Sequence, residues 1–376
     1  MSVAQKYLKK IPQYTRSARH CRSVLQHGTP RKWANLLRVE YERKTRAIEV
    51  KSRPYILFLD PCNYCDLRCP LCPTGMNELG RPQKMLSLEH FKKYFDPHAS
   101  YLFEVILHNW GESLLNKDIF KMVAHAQRSN VGTNLSTNLV NTRPEQLHEI
   151  VESGLEYLII SLDGVEQESY SKYRVRGNYD RVVHNLRELI SIRNRSNSRT
   201  PVIEWQYIVM KHNEQDVDEA ERLSREIGVD VMRFIPVGLP FEAEDRAQLA
   251  AEWFPVTVGG RVEIQSEQQI FGQDGRPGPC YYLYRSMTVN PDGGVSPCCI
   301  VYKQERDFAN LNDGPIDIGA IWNNAKFRSG RSLFSAHDIP GRPRTICDDC
   351  TLFAWHPAKV KTKAAAAGSE LLKVLK

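Results

Sequence analysis

Asp60-Pro61-Cys62-Asn63-Tyr64-Cys65-Asp66-Leu67-Arg68-Cys69-Pro70-Leu71-Cys72-Pro73 follows directly on the apolar run Tyr55-Ile56-Leu57-Phe58-Leu59. Cys65, Cys69 and Cys72 stand in a Cys-x3-Cys-x2-Cys spacing within one short loop. Such a loop presents three thiolates to one centre and supplies no fourth. Structural zinc takes four protein ligands, usually from two paired knuckles. An iron–sulfur cluster can be held by three cysteines, which leaves one iron open to an outside ligand. The loop therefore reads as an open iron site, with three separate thiols or a piece of a zinc site as the plainer alternative.

Outward from the loop, strand-like and helix-like stretches alternate from residue 54 to about 240. Strands are expected at Ile56–Leu59, Glu104–His108, Thr133–Ser136, Tyr157–Asp163, Ile203–Met210 and Val231–Pro236. Helices are expected at Leu88–Phe95, Leu115–Ser129, Pro144–Ser153, Asp180–Arg195 and Glu214–Ile227, the last two with apolar residues at the helical period. Pro144 suits a first turn and Gly154 a stop. Alternation of this kind builds a parallel sheet with helices outside it.

Polar residues gather at the strand ends. Asn109-Trp110-Gly111-Glu112-Ser113 follows the second strand, and a Gly beside a carboxylate suits close backbone approach and pairing with a cation. Thr137-Asn138 ends the third strand, with Leu139 next. Ser161 and Asp163 lie two apart at the end of the fourth, so an extended chain points both to one face. Arg174 and Arg176 follow. Gln206 and Arg233 stand among apolar residues on the fifth and sixth strands, as substrate contacts or as satisfied buried polar groups.

The cysteine loop after a strand, together with these segments, resembles the radical S-adenosylmethionine (SAM) family. The resemblance implies an α/β fold, a partial (β/α)6 barrel whose chemistry gathers at the C-terminal strand ends. It implies a [4Fe–4S] cluster on Cys65, Cys69 and Cys72, whose open iron chelates SAM and whose electron releases a 5′-deoxyadenosyl radical. Gly111 and Glu112 resemble the Gly-Gly-Glu segment that meets the SAM ammonium, with Trp110 in place of the first Gly and Ser113 in place of a Pro. Ser161 and Asp163 are then expected at the SAM ribose or carboxylate, and Arg174 at the carboxylate. Leu139 stands where the family's Thr-Asn-Gly turn has Gly. A reducing partner such as flavodoxin or ferredoxin is also implied.

A second set of cysteines lies downstream. Cys280 and Cys298 flank a hairpin signal, Asn290-Pro291-Asp292-Gly293-Gly294, and Cys347-Asp-Asp-Cys350 completes four thiols from separate segments. On spacing alone a structural zinc fits. Downstream of a radical SAM core, the set resembles the SPASM and twitch extensions, which carry auxiliary [4Fe–4S] clusters. Only five cysteines follow the barrel, fewer than a two-cluster SPASM needs, so one auxiliary cluster on Cys280, Cys298, Cys347 and Cys350 is expected. Cys299 is left over, either a hydrogen-atom donor to a substrate radical or a small buried residue. Cys62 is read as structural. The chain thus divides into a basic helical arm (1–53), the barrel (54–240), a bridge (241–276), a small SPASM/twitch-like domain (277–356) and a basic tail (357–376).

Composition is that of a globular protein, 376 residues with 41% hydrophobic and 25% charged. Its longest apolar runs are far short of a membrane span, and its N-terminus has no signal core, which places it in the cytoplasm. Residues 1–53 carry fourteen Lys and Arg against three Glu, so the arm holds +11 and the rest −4 of the +7 total. That charge suits a phosphorylated or lipid-linked substrate, or peripheral contact with an anionic membrane. The helical spacing of Trp33, Leu37, Tyr41 and Ile48 predicts that at least one segment packs on the barrel. A single fully ligated auxiliary cluster favours an oxidoreductase acting on a sugar- or cyclitol-like small molecule, the cluster accepting an electron. The alternatives are a redox-neutral epimerase using Cys299, a peptide- or protein-modifying SPASM maturase, and a non-catalytic iron–sulfur or zinc module.

Overall fold

The computed structural model describes residues 16–256, 279–337 and 339–350. The basic tail (357–376) and residues 257–276 of the 241–276 bridge fall outside the described residues, as do residues 1–15.

Six parallel strands, β1 (Ile56–Leu59), β2 (Glu104–Ile106), β3 (Gly132–Thr137), β4 (Tyr157–Ser161), β5 (Val202–Val209) and β6 (Val231–Pro236), pair in sequence order. This is the partial (β/α)6 barrel that the alternation predicts, and each expected strand is found within two residues at either end. Every residue of β2 and β4 is buried, as expected of parallel strands covered on both faces. The covering helices are α3 (Leu88–Phe95), α4 (Ile119–Arg128), α5 (Pro144–Glu152), α6 (Gln167–Tyr173), α7 (Tyr179–Arg195) and α8 (Val217–Ile227), with α9 (Arg246–Trp253) beyond the last strand. Local chemistry sets their ends. Ser87 accepts from His90 N at the start of α3, Asn178 accepts from Arg181 N at the start of α7, and Gly228 (φ +85°) stops α8.

Beyond β6 the sheet continues on its other edge. After the short helix α10 (Tyr282–Arg285), β7 (Ser286–Val289) pairs parallel with β1. β8 (Gly294–Ser296) and β9 (Ala309–Asn310) follow antiparallel, giving one nine-stranded sheet, β6-β5-β4-β3-β2-β1-β7-β8-β9. Helices α11 (Ile318–Trp322) and α12 (Ala325–Ser332) close the C-terminal part. The small domain expected there is therefore an extension of the barrel's own sheet, beside the strand that carries the cysteine loop.

The N-terminal arm packs as two helices, here numbered α1 (Arg16–Gln26) and α2 (Pro30–Lys44). Thr29 caps α2, and Pro30 occupies its first turn. The arm covers the N-terminal strand ends through His20 Nδ1 to Glu104 Oε1 (2.8 Å), His27 Nε2 to Glu156 Oε1 (2.7 Å) and Lys32 Nζ to Asn130 O (2.5 Å). Its buried face is Lys32, Asn35, Val39 and Glu42. The expected packing face is corrected on this point. Leu37 and Tyr41 are 71% and 69% exposed, and Trp33 reaches the fold only at its edge, against Phe103. The polar side of α2 makes hydrogen bonds to the main chain before β1, and that requirement overrides the apolar spacing.

Candidate functional site

The loop after β1 holds Cys65, Cys69 and Cys72 at the C-terminal end of the sheet. None is in a disulfide. Burial raises the Cys65 thiol, and the nearby Glu112 and Cys69 raise it further. Cys69 is pushed up to about 11, mainly by burial, with Arg174 pulling the other way. Three neighbouring sulfurs, that of Cys69 buried and those of Cys65 and Cys72 half-buried, with one guanidinium nearby suit an electropositive centre that takes them as thiolates. This donor set fits three corners of an iron–sulfur cluster. Gly75 lets the loop fold on itself, since a Cβ there would stand 2.6 Å from Cys69 N and O.

The loops after β2 and β3 are braced to this loop by Glu112. Its Oε1 accepts from Thr137 Oγ1 (2.7 Å) and Leu114 N (3.0 Å), and its Oε2 accepts from Asn138 N (2.7 Å). Burial raises the carboxyl to about 7 despite these donors. Asn138 Nδ2 then reaches Asp66 Oδ1 (2.7 Å) and lies 3.8 Å from Cys65 Sγ. Leu139 holds φ +56°, so the turn keeps the left-handed backbone that Gly would adopt more easily. Gly111 permits contact with the cysteine loop, because a Cβ would stand 2.1 Å from Cys62 O. Cys62 is buried and donates to Glu112 O (3.0 Å), the structural role read for it.

Ser161 and Asp163 diverge rather than sharing one face, because β4 ends at Ser161. Ser161 Oγ lies 3.3 Å from Ser136 Oγ. Asp163 turns to β5, where its Oδ1 accepts from Ile208 N (2.6 Å), and its Oδ2 pairs with Arg174 (2.6 Å). The buried Arg174 directs Nη1 toward Cys69 Sγ at 3.8 Å. Arg176 lies outside this contact on an exposed turn at φ +73°. Gln206 and Arg233 form a satisfied buried network, with Arg233 donating to Glu204 (2.7 Å) and Gln206 (2.5 Å) and Tyr157 OH donating to Glu204 (2.6 Å).

Cys280, Cys298, Cys347 and Cys350 are brought together from three segments. Burial raises Cys280 to about 12, and Cys350 and Cys299 add to the rise. Cys298 is raised by burial and by Cys299, Cys347 and Cys280, and Cys347 by burial and by Cys280 and Cys350. Four neighbouring thiols match in number what a fully ligated cluster takes, although among the described residues no three of them are spaced to hold one metal ion. Cys299 is in hydrogen-bond contact with the Tyr282 hydroxyl. With its side-chain amide in the orientation that satisfies both neighbours, Asn109 donates to Cys299 O (3.0 Å) and accepts from Trp110 Nε1 (2.9 Å), and the Trp110 and Tyr302 rings meet at 5.3 Å. The segment before Gly111 and the loop after Cys298 thus touch.

Several site residues carry no motif signal. Asp60, at the end of β1, is fully buried, with Oδ2 accepting from Trp110 N (3.1 Å) and Oδ1 lacking a hydrogen-bond partner among the described residues. Burial raises it from 3.8 to about 7. The folded chain therefore holds a proton there that the unfolded chain has lost. The stabilisation is full below pH 3.8 and disappears as pH rises through about 7. Urea denaturation of the cluster-free chain should show wild type less stable at pH 8 than at pH 5. Asp60→Asn should reduce that slope, by about 3 kcal/mol between pH 5 and 8, the remainder coming from Glu112, whose carboxyl is likewise raised to about 7. An unchanged slope would show that Asp60 does not titrate in this range.

Residues 59–204 match the Radical SAM superfamily, and residues 280–351 match the SPASM iron–sulfur cluster-binding domain. The chain is 31% identical over 126 residues to a PqqA peptide cyclase of Bradyrhizobium diazoefficiens, covering 34% of this chain and 33% of that protein. It is 22% identical over 233 residues to an AdoMet-dependent heme synthase of Methanosarcina barkeri, covering 59% of this chain and 62% of that one. The matched stretches thus span less than two thirds of either relative. Streptococcus suis SuiB, solved bound to its precursor peptide SuiA, superposes with a TM-score of 0.58 at 13% identity, over 79% of this chain and 70% of that one. That likeness is one of fold.

Proposed function

Since the chain is a radical SAM enzyme with a C-terminal SPASM iron–sulfur domain, we propose that it modifies a side chain of a peptide or protein by hydrogen abstraction and oxidation. The observation that carries this is the contact between Asn109 and Cys299, which puts the auxiliary thiols beside the loops that hold the first three. Bound there, SAM and the two iron–sulfur centres supply reductive SAM cleavage, a 5′-deoxyadenosyl radical and an acceptor for the electron a substrate radical gives up. The relative named as a peptide cyclase supports a peptide over the sugar or cyclitol expected from cluster count. No feature of the site singles out a sugar.

Within this reading each residue has a task. Cys65, Cys69 and Cys72 hold the first cluster, and Cys280, Cys298, Cys347 and Cys350 hold one auxiliary cluster. Gly111 would bring main chain to the SAM ammonium, and Glu112 fixes that loop through Thr137 Oγ1, Leu114 N and Asn138 N. Ser161 lies toward the ribose. Asp163 orients Arg174, which would meet the SAM carboxylate beside Cys69. The test is anaerobic reconstitution with reductant and candidate peptides. Peptide-dependent 5′-deoxyadenosine, with loss of two hydrogens from the peptide, is the expected result.

Arg331 supports the auxiliary centre as an electron acceptor. It is fully buried and, among the described residues, pairs with no carboxylate. Its Nε donates to Leu283 O (2.9 Å), and its guanidinium lies 4.8 Å from the Trp322 ring centroid. Main-chain N–H groups of Tyr282 and Leu283 donate to Cys280, and a methyl on Gly330 would stand 3.5 Å from Cys347 Sγ. An uncompensated cation favours the more negative, reduced cluster. Arg331→Gln should make the auxiliary potential more negative by about 59 mV, a tenfold change in a one-electron equilibrium. Potentiometric EPR titration would read this, and an unchanged potential would remove Arg331 from the account.

Cys299 gives a second reading a foothold, since its main chain lies beside Asn109 of the loop after β2. If it donates a hydrogen atom, Cys299→Ala should leave SAM cleavage intact and divert the product, read by deuterium incorporation from heavy water. Oxidation without such donation should leave the product unchanged.

A further inference from the structure

We propose that the outward face of α2 rests on an anionic lipid surface. Both acids of this helix stand at the margins of that face and are engaged by inner partners rather than lying at its centre. Glu40 pairs with Arg285 (2.5 Å), and Glu42 accepts from Lys51 N (2.8 Å) and Ser52 N (3.2 Å). Asn35 is likewise held on the inner side by Arg53 N and O, both at 2.9 Å. The outer side carries Trp33, Ala34, Leu37 and Tyr41, with Arg31, Arg38 and Lys44 exposed along its margins.

At one hundred degrees per residue, Ala34, Leu37 and Tyr41 form the centre of the exposed arc. Arg31 and Arg38 border it on one side, and Trp33 and Lys44 on the other. The Trp33-to-Tyr41 stretch is about 12 Å long. Aromatic rings at an apolar–polar boundary beside Lys and Arg are the composition of a membrane-interface contact. Among the described residues the face is a single helix ridge with no second element beside it to form a groove for a peptide, which favours a deformable lipid surface over a protein. Residues 1–15 add Lys6, Lys9 and Lys10 to the sequence next to it, and charge of one sign complements anionic headgroups.

The α2 contacts lie at the N-terminal end of β1, around Arg53 and Tyr55, whereas the cysteine loop follows its C-terminal end. Lipid contact would leave the barrel mouth open on the opposite side, so the proposal stands independently of the substrate reading.

Co-sedimentation of the full chain with vesicles tests it, using phosphatidylcholine alone and phosphatidylcholine mixed with phosphatidylglycerol. Binding to the anionic vesicles alone, lost at high salt, is the expected result. Arg38→Glu/Lys44→Glu should weaken it about thirtyfold or more, since each basic residue near such a surface contributes about fivefold. Leu37→Ser/Tyr41→Ser should weaken it while thermal melting and SAM cleavage stay as in wild type. Absence of wild-type binding would overturn the proposal. So would binding that survives both double substitutions, which would assign it to residues outside α2. A dimer dissolved by Leu37→Ser/Tyr41→Ser, with vesicle binding unaffected, would assign the face to a second copy of the chain and also overturn it.

Discussion

Cys69→Ala should abolish 5′-deoxyadenosine formation, whereas Cys350→Ala should leave basal formation in place and abolish turnover of the substrate. The asymmetry follows from the two thiol sets. Cys69 is one of three ligands in a loop that has no spare thiol, because Cys62 is buried against Glu112 O and Tyr64 O. Losing it leaves two thiols for a centre that needs three. Cys350 belongs to the other set, grouped with Cys280 and Cys347. Its loss removes the electron acceptor without touching the Glu112 brace or the Asp163–Arg174 pair. Each variant should retain about four fewer irons per chain than wild type. The decisive readout is 5′-deoxyadenosine made from SAM and reductant without substrate. Equal loss in both variants would show that the auxiliary centre is needed for SAM cleavage itself.

Arg81→Met should destabilise the folded chain by about 3–5 kcal/mol, the usual effect of removing one member of a buried charge pair. The Arg81 side chain is completely buried. Its Nη1 donates to both Asp292 carboxylate oxygens (2.9 Å each), its Nη2 to both of Asp307 (3.0 and 3.2 Å), and its Nε to Tyr302 O (2.7 Å). Without the guanidinium, the carboxylates of Asp292, in the β7–β8 turn, and Asp307, before β9, repel each other with little solvent access. Ser296 Oγ, at 2.7 Å from Asp307, and Gly294 N, at 3.1 Å from Asp292, are too few donors to hold both charges. Arg81 also joins the chain just after the cysteine loop to the segment carrying Tyr302, which packs on Trp110. Chemical denaturation of wild type and variant measures the loss. A change below about 1 kcal/mol would show that the aspartates find other partners or take up protons.

The barrel strands were legible in the sequence because a strand's burial pattern is local. The bounds expected for β1, β6 and α3 agree with the structure to the residue. The cysteine loop was legible for the same reason, three ligands within eight residues. What could not be read was set by distant partners. Arg81 meets Asp292 and Asp307 across 211 and 226 residues, and no spacing in the sequence marks such a pair. Asp60 gives no motif signal because its burial depends on the loop after β2. The short helix α6 lacks enough turns for periodicity to appear. At Trp33, Leu37 and Tyr41 the helical period was read correctly and its consequence wrongly, since the inner face of α2 is polar and tied to main chain. Ser161 and Asp163 likewise diverge because β4 ends between them, a boundary set by Asp163 turning to Ile208 N.

The central claim is that a radical formed at the Cys65–Cys69–Cys72 site acts on a peptide side chain, with the Cys280 set taking the second electron. Its most direct measurement is substrate-dependent 5′-deoxyadenosine release by the anaerobically reconstituted chain, with peptides and polar metabolites supplied separately. The account expects a peptide to stimulate release and to lose two hydrogens in step with it. Stimulation by sugars or cyclitols with no peptide effect would contradict it.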